Sequence, residues 1–278
     1  MRIGVTGPHG RLGSELVRQG CVPIEADVTH FYALKTAVEA AECDVIVHCA
    51  AMTDVDACET DPSTAAAINT GGVAHLLQAH PGRIVYLSTD YIFDGGSPTF
   101  TQTQPAGPYS ETWPPNPISV YGWSKLGGEI LIRNARRPGC LTVRTTVLFD
   151  GRSGCFVAKV LDKLMRDEYV YVPDELYGSP TYIPHLATDI LLAIERNVTG
   201  VLNLAGVHVI SRYEFARRIA EAADVPLTLV KRGKTLGAAP RPKQAGLTIN
   251  KATHLGFLPR DPLAVLPQII AQRHGGET

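Results

Sequence analysis

Along the first half of the chain, short apolar runs rich in β-branched residues alternate with longer stretches of helical periodicity. RIGVTG precedes RLGSELVRQG, VPIEADV precedes ALKTAVEAAE, and DVIVHCAA precedes PSTAAAINTGGVAHLLQAH. RIVYLSTD follows, and CLTVRTT comes after a helix expected to begin near Ser119. Strands of this kind separated by helices are the pattern of a parallel sheet covered on both faces. The pattern predicts an α/β fold, a doubly wound parallel sheet (Rossmann-like) over residues 1–148. After Phe149 the rhythm changes. GSPTYIPHLATDILLAIERN and SRYEFARRIAEAAD read as helices, GVLNLAG as a strand, and DPLAVLPQIIAQ as a last apolar stretch after a loop rich in Pro, Gly and basic residues (Lys231 to Lys243). These predict a smaller α/β domain over residues 149–278, with 200–206 rejoining the first sheet.

Composition narrows the classes without choosing a function. The 278 residues allow one large core or two coupled ones. A net charge of −1 argues against a nucleic-acid binder and a polybasic membrane protein. No apolar run approaches the roughly 20 residues that span a bilayer, and MRIGVTGPHG reaches a glycine turn before a signal-peptide core could develop. The six cysteines (Cys21, Cys43, Cys49, Cys58, Cys140 and Cys155) form no CxxC pair, so they read as reduced thiols of a cytoplasmic protein. The sequon Asn197-Val198-Thr199 then carries no weight.

Two short motifs carry chemistry. TGPHGRLGSEL places Gly7, Gly10 and Gly13 in a G-x-x-G-x-x-G spacing between the first strand and the first helix. Glycine there permits a tight turn, a close approach of backbone to pyrophosphate, and close packing of helix on strand. The helix N-terminus adds free N–H groups and a positive dipole for the phosphates. In VYGWSKLGGE, Tyr121 and Lys125 are four apart and would project from one face of a helix. A cation beside a phenol lowers the phenol pKa and makes it a usable proton donor or acceptor. Alone, a YxxxK is more often a surface tyrosine beside a solvated lysine.

The glycine spacing together with YxxxK resembles the short-chain dehydrogenase/reductase superfamily. HCAAMTDVDACE, STDYIFDG, GPYSETWPPNPISVYGWSKLGGE, GSPTYIPHLA, SRYEFARRIAE and the pair Arg241-Pro242 narrow the resemblance, over nearly the whole chain, to the dTDP-4-dehydrorhamnose reductases. The resemblance implies a catalytic set of Thr89, Tyr121 and Lys125. Tyr121 would donate a proton, Thr89 would polarise the carbonyl, and Lys125 would tune Tyr121 and bind the nicotinamide ribose. It implies cofactor contacts at Gly7, His9, Gly10, Arg11, Leu12 and Gly13, at Asp27 and Val28 on the adenine side, at Cys49, Ala50, Ala51 and Thr53, and at Asn69 and Ser88. The implied substrate contacts are Thr89, Asp90, Tyr91, Phe93, Tyr182 and Arg241, the last for a diphosphate. Asp27 is equally plausible as the N-cap of the next helix.

The implied function is NAD(P)H-dependent reduction of the 4-keto group of a nucleotide-linked 6-deoxy sugar, with dTDP-4-dehydrorhamnose as first guess. The partner is then the nucleotide-sugar substrate, and the chain a monomer or homodimer. A different-class alternative is a non-catalytic NADP-binding subunit resembling the regulatory subunit of methionine adenosyltransferase; the retained Thr89, Tyr121 and Lys125 favour the enzyme. A related dehydratase would need a second carboxylate where Tyr91 stands, and His185 reads as structural. Departures from the family pattern are also visible. The segment between Asp90-Tyr91 and GPY is long, around residues 95–107. Val147 replaces a usual tryptophan. No arginine follows the second strand to read a 2′-phosphate, which leaves Arg11 as the candidate and NADPH or NADH open, with a lean to NADPH. Some family members use magnesium; Glu15 would be the first candidate ligand.

Overall fold

The computed structural model describes residues 1–96, 107–234 and 237–275, without the side chains of residues 274 and 275. Most of the long segment expected at 95–107, residues 97–106, lies outside the described residues. Six strands form one parallel sheet: β1 (Ile3–Thr6), β2 (Val22–Ile24), β3 (Val45–His48), β4 (Arg83–Thr89), β5 (Leu141–Thr145) and β6 (Gly200–Asn203). Their order is β6-β5-β4-β3-β1-β2. The chain runs outward from β1 to β2, then crosses back to β3, so the strand order reverses beside β1. Ligand clefts of doubly wound sheets open at the carboxyl ends of strands at such a reversal.

The helices of this layer are α1 (Arg11–Arg18), α2 (Phe31–Ala41), α3 (Val55–Thr60), α4 (Pro62–Ala66), α5 (Gly72–Ala79) and α6 (Val120–Asn134). Beyond residue 149 come α7 (Phe156–Leu164), α8 (Ile183–Glu195) and α9 (Arg212–Ala222). Strands β3 and β4 read as near-continuous apolar runs because both their faces are covered. On one face Val5, Val47 and Val143 pack with Leu16 of α1 and Ile190 of α8. On the other, Ile46, Ile84 and Tyr86 pack with Leu34 of α2, Leu76 of α5 and Ile132 of α6. Among the described residues no helix is long and apolar enough to cross a membrane.

Residues 149–275 divide between two cores. Phe149, α7, α9 and the parallel pair Val170–Pro173/Val230–Gly233 enclose a separate core of Val160, Leu161, Phe215, Ile219 and Val230. Helix α8, with Ala252 and Phe257, instead joins the core of the large sheet, and β6 lies beside β5 with Leu202 opposite Val143. The two units meet at Val147, a β-branched residue held at φ +49. That left-handed conformation costs a residue of this type on the order of 1–3 kcal/mol. It turns the chain from β5 into Leu148–Phe149, which pairs with Thr181–Tyr182.

Helix α6 begins where the Ser119 hydroxyl accepts from the Gly122 N–H at 3.2 Å, a standard N-cap. One turn beyond Lys125, Glu129 is locked to Arg144 of β5. Arg144 Nε donates to Glu129 Oε1 at 3.0 Å and Nη2 to Oε2 at 2.8 Å, with both side chains buried. Removing one member of such a pair strands a charge in the interior. Arg144→Met is therefore expected to cost about 3–5 kcal/mol in denaturant unfolding, and the double replacement Glu129→Leu/Arg144→Met markedly less. Equal costs for the single and double variants would mean that the charge pairing does not anchor the helix.

Candidate active site

The glycine turn forms the floor of the cleft. Gly7 has φ +66, and a Cβ built on it would lie 2.8 Å from the Ala50 backbone; one on Gly13 would lie 2.1 Å from the Gly7 carbonyl oxygen. Larger residues would force β1, α1 and the loop after β3 apart. Helix α1 starts directly after Gly10 with no side chain capping it, so its first-turn N–H groups and dipole are left for an anion. A dinucleotide pyrophosphate fits that cradle. Two buried hydroxyls of the same cleft, Ser88 Oγ and Thr145 Oγ1, have no hydrogen-bond partner among the described residues; buried polar groups ordinarily find one.

The cleft, about 960 Å³, runs from the glycine turn to the smaller unit. It brings together His9, Gly10, Arg11, Leu12, Gly13, Cys49, Ala51, Thr53, Ser88, Thr89, Asp90, Tyr91, Tyr121 and Lys125. Gly7 and Ala50 lie against each other beneath it. Asn69 is buried in a π-helical turn, Ala67–Gly71, between α4 and α5. Its Oδ1 accepts from Met52 N at 2.8 Å, and its Nδ2 donates to Met52 O at 3.0 Å and to Ser124 Oγ at 2.8 Å. Asn69 thus ties the loop after β3 to α6, and such π turns recur at functional sites.

Around Tyr121 the side chains are closely linked. Thr89 Oγ1 accepts from Tyr91 N at 3.2 Å and donates to Asp90 Oδ1 at 3.1 Å, while Thr146 Oγ1 donates to Asp90 Oδ2 at 2.6 Å. Burial pushes the Asp90 carboxyl up to about 6, against the two hydroxyl donors that favour its charged form. Tyr121 packs edge-on against Tyr91, ring centroids 5.5 Å apart. Burial raises the Tyr121 phenol above its ordinary value, with the neighbouring Thr89 hydroxyl pulling partly the other way. Lys125 is pushed down to about 8 by burial, opposed by Cys49 and Glu129.

The expected lowering of the Tyr121 pKa by Lys125 is therefore corrected for the free protein. Desolvation outweighs the cation, and Lys125 Nζ sits over the Tyr86 ring, 4.4 Å from its centroid. Near neutral pH the corner holds a protonated phenol and a largely charged ammonium. Those are the states needed to deliver a proton to an oxygen and to attract electron-rich hydroxyls. The Cys49 thiol, pushed up to about 12 by burial, is inert.

Several expected residues stand elsewhere. Phe93 is fully buried and stacked on Tyr109, centroids 4.3 Å apart, so it supports the core and cannot reach a substrate. Tyr182 packs on Phe149 and lines a second cavity with His185, Asp189 and Arg260. Arg241 is held by Asp56 and the Ala239 carbonyl, which fastens that segment to α3. Arg11 donates to Asp150 Oδ1 at 3.0 Å and to Ser153 O at 2.7 Å, and Arg152 donates to Ser14 Oγ at 2.7 Å. These contacts strap the 150–154 loop onto the glycine turn.

Asp27 does not cap α2, whose N-cap is His30; it closes the preceding turn by accepting from Thr29 N at 2.8 Å. Val28 is buried against Gly72, with its carbonyl in contact with His75 Nδ1. Glu15 has both oxygens occupied by Arg18 and Gln19. Among the described residues no group of three His, Cys, Asp or Glu side chains could hold a metal ion. Among the described residues Glu15, the candidate ligand, belongs to no such group.

Sequence reasoning missed Thr145, Thr146 and Arg212, all of which line the cleft. Arg212 is the first residue of α9, following the Ser211 cap. A cation at a helix N-terminus opposes the dipole, and that mismatch was a signal in SRYEF. Its guanidinium lies 5.4 Å from the Phe156 ring centroid, with no side-chain hydrogen bond or ion pair among the described residues.

The RmlD substrate binding domain pattern matches residues 1–273. A dTDP-4-dehydrorhamnose reductase of Mycobacterium tuberculosis is 35% identical over 234 residues, covering 79% of this chain and 75% of that one. A protein of Streptomyces antibioticus named "Probable dTDP-4,6-dihydroxy-2-methyloxan-3-one 4-ketoreductase" is 32% identical over 300 aligned positions, 99% of this chain and 97% of its own. The crystal structure of a Bacillus anthracis dTDP-4-dehydrorhamnose reductase in complex with NADP superposes with a TM-score of 0.87 at 28% identity, covering 98% of each chain.

Proposed function

The chain belongs to the RmlD substrate binding domain family, and from that premise we propose that it reduces the 4-keto group of a nucleotide-linked 6-deoxy sugar with NADPH or NADH. The specific reaction is dTDP-4-dehydrorhamnose to dTDP-rhamnose. The observation that carries this reading is the convergence of Thr89, Tyr121 and Lys125 on one wall of a cleft whose floor is the glycine cradle. The same convergence favours an enzyme over a non-catalytic binding subunit.

A bound nicotinamide dinucleotide supplies the hydride for the carbonyl carbon. The chain supplies placement and protons. Thr89 Oγ1, which accepts from Tyr91 N and in the free protein donates to Asp90, turns its one O–H from Asp90 to the carbonyl oxygen, where negative charge develops. Tyr121, protonated because of its burial, donates its proton to that oxygen. Lys125 stabilises the resulting phenolate and binds ribose hydroxyls, which restores in the working complex the coupling absent from the free protein. Arg212 takes the substrate diphosphate: it is an uncommitted guanidinium on the smaller unit's side of the cleft, suited to phosphate oxygens.

The direct test is NAD(P)H oxidation with dTDP-4-dehydrorhamnose generated in situ. Wild type should turn over, and Tyr121→Phe should lose about 10²-fold or more in kcat. No oxidation with either dinucleotide would remove this substrate. Arg212→Ala should raise KM for the nucleotide sugar by roughly 10–100-fold, the scale of a charge-assisted contact, with kcat little changed; an unchanged KM would place the diphosphate elsewhere. Lys125 also sets a pH limb. Its ammonium is present below about 8 and is lost as pH rises through that value. In a pH profile, kcat/KM for the dinucleotide should therefore fall on the alkaline side of about 8. A profile flat to pH 10 would contradict the role given to that charge.

A further inference from the structure

We infer that Glu25 makes this cleft select NADH over NADPH, an inference that rests on the dinucleotide reading above. Strands β1 and β2 run parallel with Thr6 opposite Ile24. Gly7 and Glu25 are the next residues of each strand, so they leave the sheet side by side. In doubly wound dinucleotide folds the residue in Glu25's place faces the adenosine ribose. A carboxylate there accepts from the 2′-hydroxyl, whereas an arginine nearby accommodates a 2′-phosphate.

Glu25 meets the first condition and the surroundings fail the second. Its side chain is 64% exposed, and its ion-pair contact is His9 of the glycine turn, Nε2 to Oε1 at 3.7 Å. The connection from β2 to α2 is short, and residues 19–34 contain no lysine or arginine. Asp27 adds a second carboxylate two residues on, held by Thr29 and His30. The guanidinium groups flanking the turn are committed: Arg11 to Asp150 and the Ser153 carbonyl, Arg152 to Asp150 and Ser14, and Arg18 to Glu15. A 2′-phosphate would bring its negative charge against Glu25, with no uncommitted arginine flanking the glycine turn among the described residues to receive it. A 2′-hydroxyl would find an acceptor. Repulsion of the wrong ligand, added to recognition of the right one, is how such sites discriminate.

The experiment is binding, read apart from turnover. Purified full-length protein is titrated with NADH and with NADPH by nicotinamide fluorescence, and with ADP-ribose and its 2′-phosphate as competitors. NADH should bind roughly tenfold or more tightly than NADPH, the scale of like-charge repulsion at a partly solvated site. ADP-ribose should compete better than its 2′-phosphate by a similar factor. Glu25→Gln should narrow the ratio and Glu25→Arg should reverse it, mainly through NADPH affinity; because the side chain is exposed, both variants should keep the wild-type thermal transition. Equal or tighter binding of NADPH by wild type would overturn the inference while leaving the reductase reading intact. An unchanged ratio in both variants would overturn the role of Glu25. Failure of both dinucleotides to bind would remove the cofactor reading and this inference with it.

Discussion

The buried pairing of Glu129 with Arg144 is the constraint on which the site depends. Arg144 comes from the interior strand β5 and Glu129 from α6, one turn past Lys125, so the bidentate contact fixes both the rotation and the height of α6 against the sheet. Tyr121 and Lys125 then face the cleft, and the Tyr86 hydroxyl, donating to the Lys125 carbonyl at 3.0 Å, sets the same register from β4. The Arg144 guanidinium also lies over Phe93, 5.3 Å from its ring centroid, and donates to the Glu111 carbonyl. An apolar pair could hold a helix on a sheet as firmly, but a planar two-point contact between two specific residues admits one orientation.

Burial does two opposed things in this corner. It discourages the charged ammonium of Lys125, and it keeps the phenol of Tyr121 protonated. In the proposed reaction the proton donor must hold its proton until the substrate oxygen becomes basic, and a raised phenol suits that role. The cost falls on Lys125, which stays largely charged near neutral pH beside Glu129 and the face of Tyr86. Glu129 therefore serves twice, as the anchor of the helix and as part of the field that keeps the neighbouring ammonium protonated.

What was legible in the sequence was local. The alternation of strands and helices, the glycine spacing and the i, i+4 placement of Tyr121 and Lys125 all lie within a few residues of one another, where backbone geometry alone fixes what faces what. Even Asn69 could be suspected, because asparagine fits poorly in a regular helix and the chain answers with a π turn. Long-range pairing was not legible. Arg11 and Arg241 read as phosphate ligands, yet their carboxylate partners lie 139 and 185 residues away. Phe93 misled for a related reason: an aromatic next to a catalytic motif looks the same in sequence whether it lines the cleft or stacks on Tyr109 beneath it. Glu129 and Arg144 carried no local signal, and neither did the division of residues 149–275 between two cores, since helical periodicity does not say which sheet a helix covers.

The distribution of committed and uncommitted charge gives the cleft a direction. Beside the glycine turn the carboxylates of Glu25 and Asp27 stand without a lysine or arginine in residues 19–34, and the nearby guanidiniums are bound to Asp150, Glu15 and loop oxygens. At the smaller unit's end Arg212 carries a positive charge with no hydrogen-bond or ion-pair partner among the described residues. A dinucleotide anchored by its pyrophosphate on the α1 N-terminus and a nucleotide sugar anchored by its diphosphate on Arg212 would then meet in the middle, at Thr89 and Tyr121. The strap from Arg11 and Arg152 ties the 150–154 loop to the glycine turn. Under that reading, the lack of an uncommitted arginine beside the glycine turn and the presence of one at the other end are two parts of the same arrangement. Each anion would then find its partner, the α1 N-terminus or Arg212, and the neutral carbonyl would be left beside the proposed proton donor.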